Sequence, residues 1–187
     1  MAVQKIKYYG SSVLERRAKE VKSMAPEIKT LIRDMFDTMH RYNGVGLAAP
    51  QIGVSKRVIV IDCGDEYQEE PLVLINPEIV AAEGSQTGDE GCLSFPDMFL
   101  PITRPMTISV RFRTEEWKHV EVEVEGLLAR AITHENDHLE GKLFIELVED
   151  QELLAKEMAK LRRRIEALIG GKAPVLTGAA AGTPPRN

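Results

Sequence analysis

Histidine and cysteine are both scarce in this chain, with four and two residues in 187. Two thiols make no disulfide framework. The opening residues Met1-Ala2-Val3-Gln4-Lys5-Ile6-Lys7 contain no apolar stretch of the kind that starts a secretory signal. Reduced thiols and a cytoplasmic location are therefore expected. A basic excess is missing as well: 24 Lys and Arg against 29 Asp and Glu give a formal charge of −5. Nothing in that balance suggests an electrostatic grip on nucleic acid or on an anionic membrane. No segment approaches the roughly 20 apolar residues that span a bilayer. With 43% hydrophobic residues, the chain suits one domain around one core.

Two of the four histidines fall in Thr133-His134-Glu135-Asn136-Asp137-His138. On a helix, positions i and i+4 share a face, with Cβ atoms about 6 Å apart. Two ring nitrogens can then converge on one divalent metal while Glu135 reaches its water. This H-E-x-x-H pattern points to metal-assisted hydrolysis. Its bland alternative is a helix with two surface histidines and a solvated glutamate. A hydrolytic site needs a third protein ligand. Downstream of His138 no histidine remains, and a zinc endopeptidase would use Glu146 or Glu149. Upstream stands Cys92, beside Gly91. A lone cysteine is most often a small buried hydrophobe, and for Cys63, inside an apolar run, that reading suffices.

Apolar spacing places these residues in an α+β order. Ile28, Leu31, Ile32, Met35, Phe36 and Met39 line one helical face between Pro26 and Asn43-Gly44. Short strands are expected at Val58-Ile59-Val60-Ile61 and Leu72-Val73-Leu74-Ile75, the second stopped by Asn76-Pro77. The polar, glycine-rich stretch from Glu83 to Gly91 predicts a loop. Residues 107–113 and 119–125 predict a hairpin, with Val120, Val122 and Val124 alternating against three glutamates. The motif helix runs from near Gly126 to Gly141, and its apolar company argues for an internal helix. A last helix covers about Gln151 to Ile169, with Arg162-Arg163-Arg164 as a solvated face. From 170 onward the composition cannot bury enough to order itself, so a loose tail is expected.

Three segments, taken together and in this order, resemble the peptide deformylase family. Gly44-Val45-Gly46-Leu47-Ala48-Ala49-Pro50-Gln51 matches G-x-G-x-A-A-x-Q. Glu90-Gly91-Cys92-Leu93-Ser94 matches E-G-C-x-S, and His134 to His138 matches H-E-x-x-H with Asp137 before the second histidine. The resemblance covers roughly residues 3 to 165. It implies that Cys92, His134 and His138 hold the metal, that Glu135 is the general base, and that Gln51 and the Leu93 N–H stabilise the oxyanion. It further implies a substrate strand lying along Gly46, and a methionine pocket at Val45, Leu127 and Ala131. The implied reaction is removal of formate from the N-formyl-methionyl end of nascent chains. Fe²⁺ is the implied cofactor, with Ni²⁺, Co²⁺ or Zn²⁺ able to substitute; Zn²⁺ is the choice from H-E-x-x-H alone.

A charge network of Glu90, Arg104 and Asp137 is expected to brace the ligands, with the Arg130 head directed away from the pocket. Thr133 and Phe99 depart from the family, which carries Gln in many members at the first position and Arg in some at the second. The expected architecture is a set of short mixed or antiparallel strands around one helix bearing His134 and His138. Helices near each end pack outside, within a catalytic domain of residues 1–169. Transient ribosome contact through the C-terminal helix is a further expectation. The competing readings are the zinc endopeptidase and a catalytically silent metal- or peptide-binding module.

Overall fold

The helical spacing between Pro26 and Met39 produces helix α1, Pro26–Arg41, in a computed structural model describing residues 2–64 and 70–170. Pro26 occupies the first turn, where its missing N–H costs nothing. The helix stops as Asn43 adopts φ 54° and the Gly44 N–H returns to the Met39 carbonyl at 2.9 Å.

The strands are β1 (Gly46–Ala48), β2 (Val58–Ile61), β3 (Leu72–Glu83), β4 (Gln86–Cys92), β5 (Phe95–Arg104), β6 (Thr107–Arg113) and β7 (His119–Glu125). Five form one antiparallel sheet in the order β1-β2-β3-β6-β7, and β4 pairs with β5 in a separate ribbon. Two further helices follow, α2 (Gly126–Glu140) and α3 (Gln151–Ile169). The architecture is α+β.

Strand β2 explains the layering. Its four residues are all buried, because successive side chains point to opposite faces and both faces are covered. Val58 and Val60 pack with Ile28, Ile32, Met35 and Met39 of α1. Ile59 and Ile61 pack with Ala129, Ile132 and Leu139 of α2. A third cluster joins Phe95, Met98, Leu100 and Ile102 of β5 to Phe144, Leu161 and Ile165. Helix α2 ends at Gly141, whose φ of 73° favours glycine; a Cβ there would lie 2.9 Å from the Arg16 backbone.

The structure corrects three expectations. Asn76-Pro77 does not stop β3. It makes an irregularity in the β3–β6 register, and the strand resumes at Glu78. Asn76 adopts φ 51° and its side chain bonds both Val21 N (2.9 Å) and Val21 O (2.8 Å). The polar stretch after Glu83 is mostly strand β4, because β5 supplies its backbone partners from Gln86↔Arg104 onward. Arg164 is only half exposed and donates from Nη1 to the Asp97 carbonyl at 2.6 Å, so it docks α3 rather than sharing the solvated face of Arg162 and Arg163. The expected tail, residues 171–187, lies outside the described residues.

Residues 2–24 form no helix, yet Ile6, Tyr9, Leu14 and Val21 are buried. The Lys7 N–H donates to the Gln51 carbonyl (2.7 Å) and the Tyr9 N–H to the Ser94 carbonyl (3.0 Å). This arm therefore stitches together the two segments that carry Gln51 and Cys92.

Candidate metal centre

The H-E-x-x-H residues sit on α2 with His134, Glu135 and His138 all buried. Cys92, the last residue of β4, comes from the ribbon opposite. Ligand atoms of Cys92, His134 and His138 lie within 4.8 Å of one another. Cys92 Sγ is 3.3 Å from His138 Nε2 and 3.5 Å from Gln51 Nε2. Neither Glu146 nor Glu149 joins the cluster. Glu146 instead accepts the Leu143 N–H at 2.9 Å.

His134 is oriented by a neighbour, whereas His138 Nδ1 is buried without a hydrogen-bond partner. His134 Nδ1 meets Glu90 Oε1 at 2.5 Å, leaving Nε2 as the nitrogen available to a cation. Arg104 grips Glu90 through Nε (3.1 Å) and Nη2 (2.7 Å), and gives Nη1 to Asp137 at 2.5 Å. Arg130 Nη1 donates to the same Glu90 at 3.0 Å and to the Ile102 carbonyl at 3.1 Å, while Nη2 takes the Gln86 carbonyl at 3.0 Å. The Arg130 head thus ties α2 to both strands of the ribbon. Burial works against an ionised Glu90, but hydrogen bonds from His134 and Arg104 win and hold its carboxyl down at about 2.

Burial acts on Glu135 in the same sense but there it wins, pushing the carboxyl up to about 7 against the attraction of His134. Its Oε2 is buried without a hydrogen-bond partner. Burial also lowers the His138 pKa, with His134 and Arg104 adding to the effect, and keeps that imidazole in its neutral, ligating form. A thiol and two imidazoles form a donor set suited to a divalent transition cation. The unpartnered Glu135 oxygen leaves a buried acceptor for water beside it. The residues present therefore fit a metal.

Gln51 is buried and its orientation is fixed, since Oε1 accepts the Ala48 N–H at 2.7 Å and the NH₂ turns toward Cys92. A cavity of about 580 Å³ opens onto the site, lined by Val45, Gly46, Leu93, Leu127, Ala131, His134 and Glu135 among others. Gln51 and His138 lie behind that lining. Thr133 turns its hydroxyl back to the Ala129 carbonyl at 2.6 Å, and Phe99 stands exposed on the cavity wall.

The model of the polypeptide deformylase family matches residues 3–153. The chain belongs to this family. Over 149 residues it is 51% identical to the peptide deformylase of Agathobacter rectalis, covering 80% of this chain and 92% of that one. Among solved structures, the peptide deformylase of Legionella pneumophila has a TM-score of 0.83 at 40% identity, covering 92% of this chain and all of that one. The Synechococcus elongatus peptide deformylase, crystallised with actinonin, has a TM-score of 0.79 at 40% identity, covering 84% and 85% of the two chains. Peptide deformylases are metalloenzymes, in keeping with the Cys92, His134 and His138 cluster.

Sequence reasoning missed two contributors to this deformylase-family site. Arg130 was expected only to point away from the pocket, and its grip on Glu90 carried no signal beyond its place four residues before His134. The N-terminal arm showed no periodicity, although it holds two of the motif segments in place. Among the described residues no helix is long and apolar enough to cross a membrane.

Proposed function

We propose that this chain removes the formyl group from N-formyl-methionyl nascent polypeptides, releasing formate and a free amine. The observation that carries the reading is the convergence of Cys92, His134 and His138 beside a buried Glu135 whose Oε2 has no partner. Residues 1–169 would act as one catalytic domain in the cytoplasm. Cys92 Sγ, His134 Nε2 and His138 Nε2 would hold Fe²⁺, with Ni²⁺, Co²⁺ or Zn²⁺ as substitutes. A divalent cation held there supplies the Lewis acidity that makes water nucleophilic near neutral pH.

The chain's own residues do the rest. Glu135 takes the proton of the attacking water on its carboxylate and delivers it to the departing amine nitrogen. Negative charge that develops on the formyl oxygen is met by Gln51 Nε2 and the Leu93 N–H. Among the described residues strand β1 has one partner in its sheet, so its other edge is available for the substrate backbone to add as a strand alongside Gly46. Val45, Leu127 and Ala131 accept the methionine side chain. The exposed Arg162 and Arg163 of α3 are the residues through which a transient ribosome contact would form.

Replacing the thiol tests the ligand set and separates this reading from an endopeptidase using Glu146 or Glu149. Metal content of Cys92→Ala, measured by elemental analysis after anaerobic reloading, should fall to background. Full metal content in that variant, with cleavage of internal peptide bonds, would overturn the deformylase reading.

A further inference from the structure

The cavity that contains Glu135 also reaches Tyr42 and Val45 after α1, Phe99 on β5 and Leu168 on the last turn of α3. Nine large hydrophobic residues are exposed among the described residues, and these four share one cavity. Scattered exposed hydrophobics need no explanation, but a cluster drawn from three separate segments marks a surface that something covers. Continuity with the site names the occupant. A peptide whose formyl group reaches Glu135 must leave through this mouth, so the side chains that follow methionine arrive there.

Leu168 holds its place because α3 is anchored just before it. Ile165 is buried, three residues earlier, and Arg164 donates to the Asp97 carbonyl four residues earlier. Positions i−3 and i−4 share the helical face of Leu168, so the anchored face is the one that presents it to the cavity. Leu168 is itself 56% exposed, which leaves its side chain unfilled by protein contacts. Asp89 and Asp97 line the same cavity, so an acidic substrate side chain would meet like charge.

We propose that Leu168 is a specificity-determining residue, contacting the side chains that follow the formyl-methionine and favouring apolar over acidic ones. The proposal rests on the deformylase reading and assigns the end of α3 to the substrate cleft. Steady-state kinetics of the metal-reloaded full chain on formyl-Met-Leu-Leu and formyl-Met-Asp-Asp test it. Wild type should prefer the first peptide. Leu168→Glu should raise KM for that peptide about tenfold with kcat held, as loss of an apolar contact does, and Leu168→Met should restore it. An unchanged preference in Leu168→Glu, or a loss carried by kcat, would overturn the assignment while leaving the deformylase reading standing. No turnover of either peptide by the loaded wild type would overturn both.

Discussion

Glu135 Oε1 lies 2.8 Å from the point where a side chain on Gly46 would place its Cβ, and Glu135 Cγ lies 2.9 Å from it. Gly46 therefore does more than leave backbone free for a peptide: it makes the room in which the proposed general base sits. Gly46→Ala should push the carboxylate aside and lower kcat about a hundredfold, the typical cost of misplacing a reacting group by an ångström. Metal content, measured alongside, should not change.

Gln51 separates into two jobs that one substitution tests together. Its Oε1 holds the Ala48 N–H and its Nε2 faces Cys92. Gln51→Ala should cost about 10²–10³ in kcat through the lost donor, with KM moving far less. Gln51→Glu should keep the acceptor and lose the donor, so comparable kcat values in the two variants would assign the effect to Nε2.

Acid should attack the fold through Glu90. Burial would raise its pKa, but His134 and Arg104 pull it down to about 2 from an ordinary value of 4.5. Since the folded value is the lower one, the group adds stability above about pH 4.5, and that stability is lost as pH falls through the range from 4.5 toward 2. Unfolding free energies from urea titrations across this window should show a slope that Glu90→Gln flattens. At neutral pH the same variant leaves Arg130 buried without a carboxylate and Arg104 with Asp137 alone, costing about 3–5 kcal/mol.

Cys63 should be a slow nucleophile in the folded protein. Burial, helped by Asp62, pushes the Cys63 thiol up to about 11. At pH 8 its thiolate fraction is on the order of one in a thousand. Iodoacetamide labelling followed by mass spectrometry should therefore leave Cys63 unmodified in the folded protein at that pH and modify it once the chain is unfolded. Rapid labelling of folded protein at Cys63 would contradict this.

Much of this molecule is legible from residue spacing, and what is not has physical causes. The three helices and the β6–β7 hairpin announce themselves because each buries an apolar face against the rest of the chain. Strand β4 does not, since its buried side chain is Glu90, satisfied by two arginines and a histidine rather than by a hydrophobic layer. Period-two alternation in apolar residues has nothing to report there. Strand β5 does alternate, with Met98, Leu100, Ile102 and Arg104 buried, but Pro96 and Pro101 interrupt the pattern. Pro101 is tolerated on its exposed side, opposite Asp89. At the site, the motif spacing singles out His134, Glu135 and His138 and the family resemblance adds Cys92, whereas the Arg130–Glu90 contact and the place of Leu168 on the cavity come only from the folded chain.

The central claim is that Glu135 moves the proton in a formyl-peptide hydrolysis supported by Cys92, His134 and His138. Formate release from a formyl-Met peptide, by protein prepared anaerobically and reloaded with Fe²⁺ or Ni²⁺, tests it most directly. The account predicts robust release by wild type and its disappearance in Glu135→Ala with the metal still bound. Wild-type protein that is fully metal-loaded yet releases no formate, or Glu135→Ala that releases it undiminished, would contradict the account.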